Sequence, residues 1–187
     1  MQLFTPAQYS EADVEGKDLD VEALSSIFPP RAQLLGARVR VINGAGGRPN
    51  IMEIGPGTFW LPHSLRARGL SFTYEYQALH RADLPFDAPK GDGQNIFVAF
   101  ELIEHLANEA EIYEAYLKFK KKADFIYLST PLYTYGGGNP DWQNGALGHL
   151  RTYTPQEFGK FALEFWPEHQ WTAHLSDTIT LEGVLNG

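Results

Sequence analysis

Two glutamates and a histidine form the group of residues whose types and spacing point most directly to chemistry. Glu101, Glu104 and His105 follow a short apolar run at spacing i, i+3, i+4. If a helical turn follows that run, all three side chains face the same way. Two carboxylates and an imidazole on one face suit a divalent cation or acid–base catalysis. A second interpretation stays open, because glutamates in a first helical turn also stabilise the helix dipole and His105 would then be a packing residue.

A glycine turn after an apolar run is the second chemically suggestive feature. The run ends in Glu53-Ile54-Gly55-Pro56-Gly57. Glycines lack a Cβ and let a ligand approach the backbone, and a carboxylate two residues earlier could orient the turn or bind an amino group. An ordinary strand-to-helix turn explains the same pattern, so this motif alone leaves both interpretations open.

Strands that alternate with helices are needed to position these residues. Apolar runs and their flanking turn residues predict both kinds of element. The predicted strands cover residues 50–54, 70–76, 95–100, 124–129, 170–175 and 178–185, and the predicted helices cover 21–28, 31–41, 61–68, 110–122 and 155–165. Thr154 and Pro155 are the predicted N-cap and first residue of the last helix.

This alternation predicts the α/β class, with a doubly wound and mostly parallel sheet. Ligands of such sheets bind beyond the carboxyl ends of the strands. The glycine turn, the Glu101–His105 cluster and Ser129-Thr130-Pro131 all fall at predicted carboxyl ends. Their shared edge therefore predicts one binding site.

Composition limits the classes of function. The chain has 187 residues, 43% of them hydrophobic, a formal net charge of −8 and no cysteine. These values predict a single domain over residues 1–187, with an N-terminal arm and helices in 1–48 and the sheet core in 49–187. The acidic balance disfavours nucleic-acid binding without excluding it. No apolar run has the length of a membrane span and no leader pattern begins the chain, so we expect a cytoplasmic protein with no membrane partner.

The glycine turn and the acidic cluster together resemble the motifs of class I S-adenosylmethionine-dependent methyltransferases. Phe-Glu-Leu-Ile-Glu-His at 100–105, Leu-Ser-Thr-Pro at 128–131 and His149 before a predicted helix are similar to two groups within that family. One group comprises the small-RNA 2′-O-methyltransferases, and the other the O-methyltransferases of ubiquinone biosynthesis. The resemblance covers about residues 50–165 and implies a Rossmann-like fold with an antiparallel C-terminal strand.

The resemblance also implies the cofactor, the metal and the site residues. S-adenosyl-L-methionine would be the methyl donor, and Mg²⁺ or Mn²⁺ could bind Glu101, Glu104, His105 and His149. Such a metal acidifies one hydroxyl of a vicinal diol; without it, His105 or His149 would be the general base. The implied catalytic residues are His105, His149, Glu101 and Glu104. The implied cofactor contacts are Glu53, Gly55, Pro56, Gly57, Glu75, Asp83, Phe100 and Glu101, among which Glu75 would hold the ribose hydroxyls.

The chain departs from the family pattern at two places. Phe59 replaces the last glycine of the family's turn, and only seven residues separate Glu75 from Asp83, too few for a helix and a strand. The sequence thus predicts a missing crossover unit, whose absence could leave an exposed edge for a homodimer.

Three functions follow as hypotheses. The first is O-methylation of a small-molecule acceptor, a sugar or phenol, for which the aromatic and glycine-rich loop at 133–148 would shape the pocket. The second is methylation of an RNA or nucleotide 2′-hydroxyl. The third is a non-catalytic binding or scaffold protein with a methyltransferase-like fold.

Overall fold

A mixed six-stranded sheet organises the chain in this computed structural model. The structure describes residues 21–26, 28–56, 60–77, 93–132 and 151–187. The strands are β1 (Asn50–Ile54), β2 (Thr73–Gln77), β3 (Asn95–Phe100), β4 (Phe125–Pro131), β5 (His169–Leu175) and β6 (Thr178–Leu185). The helices are α1 (Val21–Ser26), α2 (Pro30–Gly44), α3 (Trp60–Ala67), α4 (Ala110–Lys118) and α5 (Pro155–Phe165), with a 3-10 turn at Ile103–His105.

The strand order β2-β1-β3-β4-β6-β5 confirms the predicted α/β class. β2, β1, β3 and β4 are parallel, β6 is antiparallel to β4, and β5 is antiparallel to β6. The chain leaves β1 toward β2 on one side and returns to β3 on the other side. This reversal places a topological switch point between the carboxyl ends of β1 and β3, where sheets of this kind bind ligands.

Both faces of the sheet are covered by helices, which explains why its central strands are buried throughout. α2 and α3 pack on one face through a cluster that includes Leu35, Leu65 and Tyr127. α4 and α5 pack on the other face, around Phe97 and the fully buried Trp166. Trp166 lies within 6 Å of the ring centroids of Phe97 and Tyr116. We call these faces the α2 side and the α5 side.

Predicted and observed elements agree most closely where the sequence carries a strong terminal signal. β1, β3 and α5 begin and end where the sequence predicts. The predicted capping box of α5 is present, because Thr154 Oγ1 accepts from the Glu157 amide and Glu157 Oε2 accepts from the Thr154 amide. The predicted helix 110–122 was too long, since α4 ends at Lys118 and Lys120 adopts φ +53°.

The short connection between β2 and β3 bears on the predicted missing crossover. In the described residues, β2 is the outermost strand beside β1, and residues 78–92 of the connection lie outside the description. The predicted homodimer stays a prediction, which light scattering over a range of protein concentrations would test. Among the described residues, no helix is both long and apolar enough to span a bilayer.

Candidate functional site

The glycine turn lies at the predicted place, directly beyond β1. Gly55 has φ +65°, a conformation that favours glycine, and its amide donates to the Gln77 carbonyl at the end of β2. A Cβ on Gly55 would come within 3.0 Å of Leu102 Cδ1. The turn therefore needs glycine both for its backbone angle and for the close approach of the segment that follows β3. Pro56 is buried beside it, whereas Gly57 and Phe59 lie outside the described residues.

Glu53 is buried on β1 and points to the α2 side. Its exposed fraction is 2%, and it accepts a hydrogen bond from the Tyr74 hydroxyl on β2. Burial raises the pKa of Glu53 to about 7, and the hydrogen bond from Tyr74 opposes that rise. Glu53 is thus a buried acid that changes charge near neutral pH, one strand residue away from the glycine turn.

Glu75 lies in the middle of β2, directly across from Met52. The sequence placed it near the end of its strand, but β2 continues to Gln77. The carboxylate of Glu75 forms an ion pair with Lys121 beyond α4. Its predicted contact with the cofactor ribose stays a prediction, as does that of Asp83, which lies outside the described residues.

Glu101 follows β3 in a left-handed conformation, with φ +50°. Such angles are costly for a residue with a Cβ and are found most often where a site requires them. Ser129 on β4 holds both ends of the residue: its carbonyl accepts from the Glu101 amide at 3.0 Å and its hydroxyl donates to Glu101 Oε1 at 2.7 Å. Burial raises the pKa of Glu101, and the charge of Asp177 adds to the rise, whereas Ser129 and Arg31 oppose it.

Glu104 and His105 form the second half of the acidic cluster. Thr130 Oγ1 donates to Glu104 Oε2 at 3.2 Å, and Glu104 is 1% exposed. Within the part of the chain that the structure describes, Glu104 Oε1 has no hydrogen-bond partner and lies 3.8 Å from His105 Nε2. Burial raises the pKa of Glu104 well above its usual range, and the nearby charge of Glu101 adds to the effect.

The expectation that these three side chains share one helical face is wrong. Glu101 precedes the 3-10 turn, and its positive φ breaks the helical spacing assumed from the sequence. Ser129 and Thr130 are consecutive residues of β4, so their side chains point to opposite faces of the sheet. Glu101 consequently lies on the α2 side and Glu104 on the α5 side.

The donor set for the predicted metal does not come together in the described residues. Among them, no group of three or more histidine, aspartate or glutamate side chains is arranged to hold a metal ion. His149, the fourth predicted ligand, lies outside the description. The orphaned Glu104 Oε1 faces one histidine only, so these residues do not fit a metal centre, and we route no chemical step through one.

A cationic and aromatic cluster, which the sequence did not reveal as part of the site, completes this edge. Phe100, a predicted cofactor contact at the end of β3, stacks on Trp60 at 6.5 Å between ring centroids. The guanidinium of Arg31, at the start of α2, lies 5.5 Å from the Trp60 ring and 6.0 Å from the Phe100 ring. Pro29-Pro30 predicts a helix start at Arg31, but no sequence signal connects that start with β3.

Comparison with known proteins shows what fold this arrangement belongs to. No protein-family model matches the chain, and no curated protein matches its sequence. The plantazolicin methyltransferase BpumL, solved with S-adenosylhomocysteine and a monoazolic desmethylPZN analog, shares the fold at a TM-score of 0.52 and 8% identity, covering 97% of this chain and 93% of that one.

Two further solved structures have TM-scores of 0.50. One is described as a putative S-adenosyl-L-methionine-dependent methyltransferase of Methanococcus maripaludis, with 14% identity over 92% of this chain and 96% of that one. The other is a chain of the Pnkp1/Rnl/Hen1 RNA repair complex, with 17% identity over 84% of this chain and 42% of that one. These likenesses, at low identity, concern the fold: the chain has the fold of class I S-adenosylmethionine-dependent methyltransferases.

Proposed function

We propose that this protein is an S-adenosylmethionine-dependent methyltransferase that transfers a methyl group to the oxygen of a small acceptor. The observation that carries the proposal is the juxtaposition at the switch point of the sheet. The glycine turn of β1, with its buried Glu53, lies beside β3, which ends in the strained Glu101. The fold supplies a precedent for the donor, since BpumL was solved with S-adenosylhomocysteine.

The glycine turn and the Arg31 cluster would hold the cofactor. Gly55 leaves the backbone open to the amino-acid end of the donor, and Glu53 lies just behind it. Arg31, fixed over two aromatic rings, offers a cation to the carboxylate of the donor's methionine. Trp60 and Phe100 present flat apolar surface next to that cation.

Glu101 is the residue that we propose as the general base. Its raised pKa makes its carboxylate a better proton acceptor than an ordinary glutamate. The acceptor hydroxyl gives its proton to this carboxylate while its oxygen attacks the methyl carbon of the sulfonium. The carbon–sulfur bond breaks, and its electron pair stays on sulfur, which leaves as the neutral thioether of S-adenosylhomocysteine. The rest of the site mainly aligns oxygen and methyl carbon.

Calorimetric titration with S-adenosylhomocysteine tests cofactor binding, and transfer of a labelled methyl group to a panel of hydroxylated compounds tests the reaction. Glu101→Gln should lower the turnover number by about 10²- to 10⁴-fold at pH 7, which is the usual contribution of a general base. Glu114→Gln, an exposed position on α4, is the matched control and should retain full activity.

The calorimetric result separates this proposal from the non-catalytic alternative. No binding of S-adenosylhomocysteine at millimolar concentration would refute the methyltransferase and favour the scaffold. Binding with equal turnover in Glu101→Gln would refute the role of Glu101 and direct attention to His105 and His149. Repeating the titration with EDTA and then with Mn²⁺ tests the metal expected from the resemblance.

A further inference from the structure

A groove of about 320 Å³ lies between α2 and the hairpin formed by β5 and β6. Four residues of α2 form one wall, Pro30, Gln33, Leu34 and Ala37. Their spacing of i, i+3, i+4 and i+7 is that of one helical face. The groove volume is at the lower end of the range for small-molecule sites, which suits a compound of one or two rings.

The hairpin forms the opposite wall. His174, Leu175, Ser176 and Thr180 line it, and Leu175 is 60% exposed. Neither wall contains a lysine, arginine, aspartate or glutamate among the described residues. An uncharged lining neither offsets the charge of a phosphate or a carboxylate nor pairs with an ammonium group, so the groove suits a neutral ligand.

The polar groups of the groove are largely engaged by the protein itself. Gln33 Nε2 donates to the Phe28 carbonyl at 3.0 Å, and Ser176 Oγ donates to Asp177 Oδ1 at 2.8 Å. His174 Nε2 lies 3.4 Å from Glu182 Oε2. A sugar, whose many hydroxyl groups each lose a water partner on burial, would find few replacements here. An aromatic compound needs far fewer.

The groove adjoins Glu101 through three elements. Thr180, at its inner wall, pairs with Ser129 in the antiparallel register, and Ser129 holds the Glu101 carboxylate. Pro30, at its upper wall, precedes Arg31, whose charge acts on Glu101. Asp177, in the hairpin turn beside Ser176, also acts on Glu101. The groove and Glu101 therefore lie on the same α2 side of the sheet, at the same edge.

We propose that this groove binds the methyl acceptor, and that the acceptor is a neutral hydroxyaromatic compound of one or two rings whose hydroxyl group points toward Glu101. The proposal rests on the proposed methyltransferase function. It selects the phenol from the sugars and phenols that the sequence left open, and it places no nucleotide phosphate in the groove.

Binding of 2-naphthol, followed by saturation-transfer NMR and fluorescence, tests the groove. Ala37→Trp fills the groove from an exposed helical position, and it should weaken 2-naphthol binding at least tenfold while the affinity for S-adenosylhomocysteine stays within twofold. Ala67→Trp introduces the same side chain at an exposed position on α3, outside the groove, and should change neither affinity. If Ala37→Trp fails to fold by circular dichroism, Leu175→Ala, which shortens an exposed wall residue, replaces it and should weaken 2-naphthol binding severalfold.

The two ligands separate the failure of this inference from the failure of the proposed function. If S-adenosylhomocysteine binds but 2-naphthol does not, or if 2-naphthol binds Ala37→Trp and Leu175→Ala as well as the wild type, the acceptor groove is wrong and the methyltransferase stands. If 2-naphthol binding depends on the groove while S-adenosylhomocysteine does not bind, the groove is a ligand site and its role as an acceptor site is overturned.

Discussion

The buried acid behind the glycine turn makes the stability of this protein depend on pH in a specific way. Burial raises the pKa of Glu53 from 4.5 to about 7 in the folded protein. In the unfolded chain the side chain regains its ordinary pKa. Between these two pKa values the unfolded state releases this proton more readily than the folded state, so deprotonation favours unfolding.

The size of the effect follows from the shift. One pKa unit corresponds to about 1.4 kcal/mol, so Glu53 should cost the folded state roughly 3 kcal/mol once the pH exceeds 7. The contribution of the protonated carboxyl is fully present below pH 4.5 and is lost as the pH rises through 7. Glu53→Gln keeps a neutral side chain of similar size that can still accept from Tyr74, and it does not titrate.

Urea unfolding of the wild type and Glu53→Gln at several pH values between 4 and 8 measures this contribution. The free energy of unfolding of the wild type minus that of Glu53→Gln should fall by about 3 kcal/mol from pH 4.5 to pH 8. Subtracting the variant removes other titrating groups and any constant offset from the amide. A difference that stays within about 0.5 kcal/mol over the whole range would show that Glu53 does not titrate as its burial requires.

Glu182 provides a control of opposite sign. Burial alone would raise the pKa of Glu182, but hydrogen bonds from Tyr127 and Arg38 outweigh it and lower that pKa. Its contribution is present above its unfolded pKa and is lost as the pH falls through the lower folded value. Glu182→Gln should therefore lose stability relative to the wild type at pH 8 and less of it at pH 4, the reverse of Glu53→Gln.

Three further substitutions test the packing and the backbone. Trp166→Ala should lower the free energy of unfolding by about 3–5 kcal/mol in urea, because the ring is fully buried among aromatic side chains. Thr154→Ala should cost about 1 kcal/mol in the same assay, since it removes one half of the α5 capping box. Gly55→Ala should lower the midpoint of unfolding and also weaken S-adenosylhomocysteine binding measured by calorimetry, because its φ of +65° and the approach to Leu102 both oppose a Cβ. Unchanged values for any of these would contradict the corresponding contact.

The sequence predicts those parts of the fold that local signals determine. β1 and β3 are short apolar runs between polar or glycine residues, and the Thr154-Pro155 pair marks the start of α5 unambiguously. Helix ends without such signals were less accurate, as at α4. The glycine turn and the glutamates at the strand ends were likewise predicted, because parallel strands bring their carboxyl ends to one edge.

Tertiary contacts account for what the sequence missed. Arg31 meets Trp60 and Phe100 only because α2 crosses the sheet with its first turn above β3. Glu53 and Tyr74 meet only through the register of β1 and β2. These pairs are separated by tens of residues in the chain, and neither residue type announces its partner.

The division of the acidic cluster by β4 is the structural fact that most changes the chemical interpretation. From spacing alone, Glu101 and Glu104 form one ligand set, but Ser129 and Thr130 hold them on opposite faces of the strand. Only Glu101 shares its side with the α2 groove, whereas Glu104 is enclosed beside His105 with its pKa raised well above the usual range. A nearly neutral Glu104 is a poor ligand and a poor base, but it can persist in the core without a cation. Proton removal from an acceptor therefore falls to Glu101, the carboxylate that lies where an acceptor could reach it.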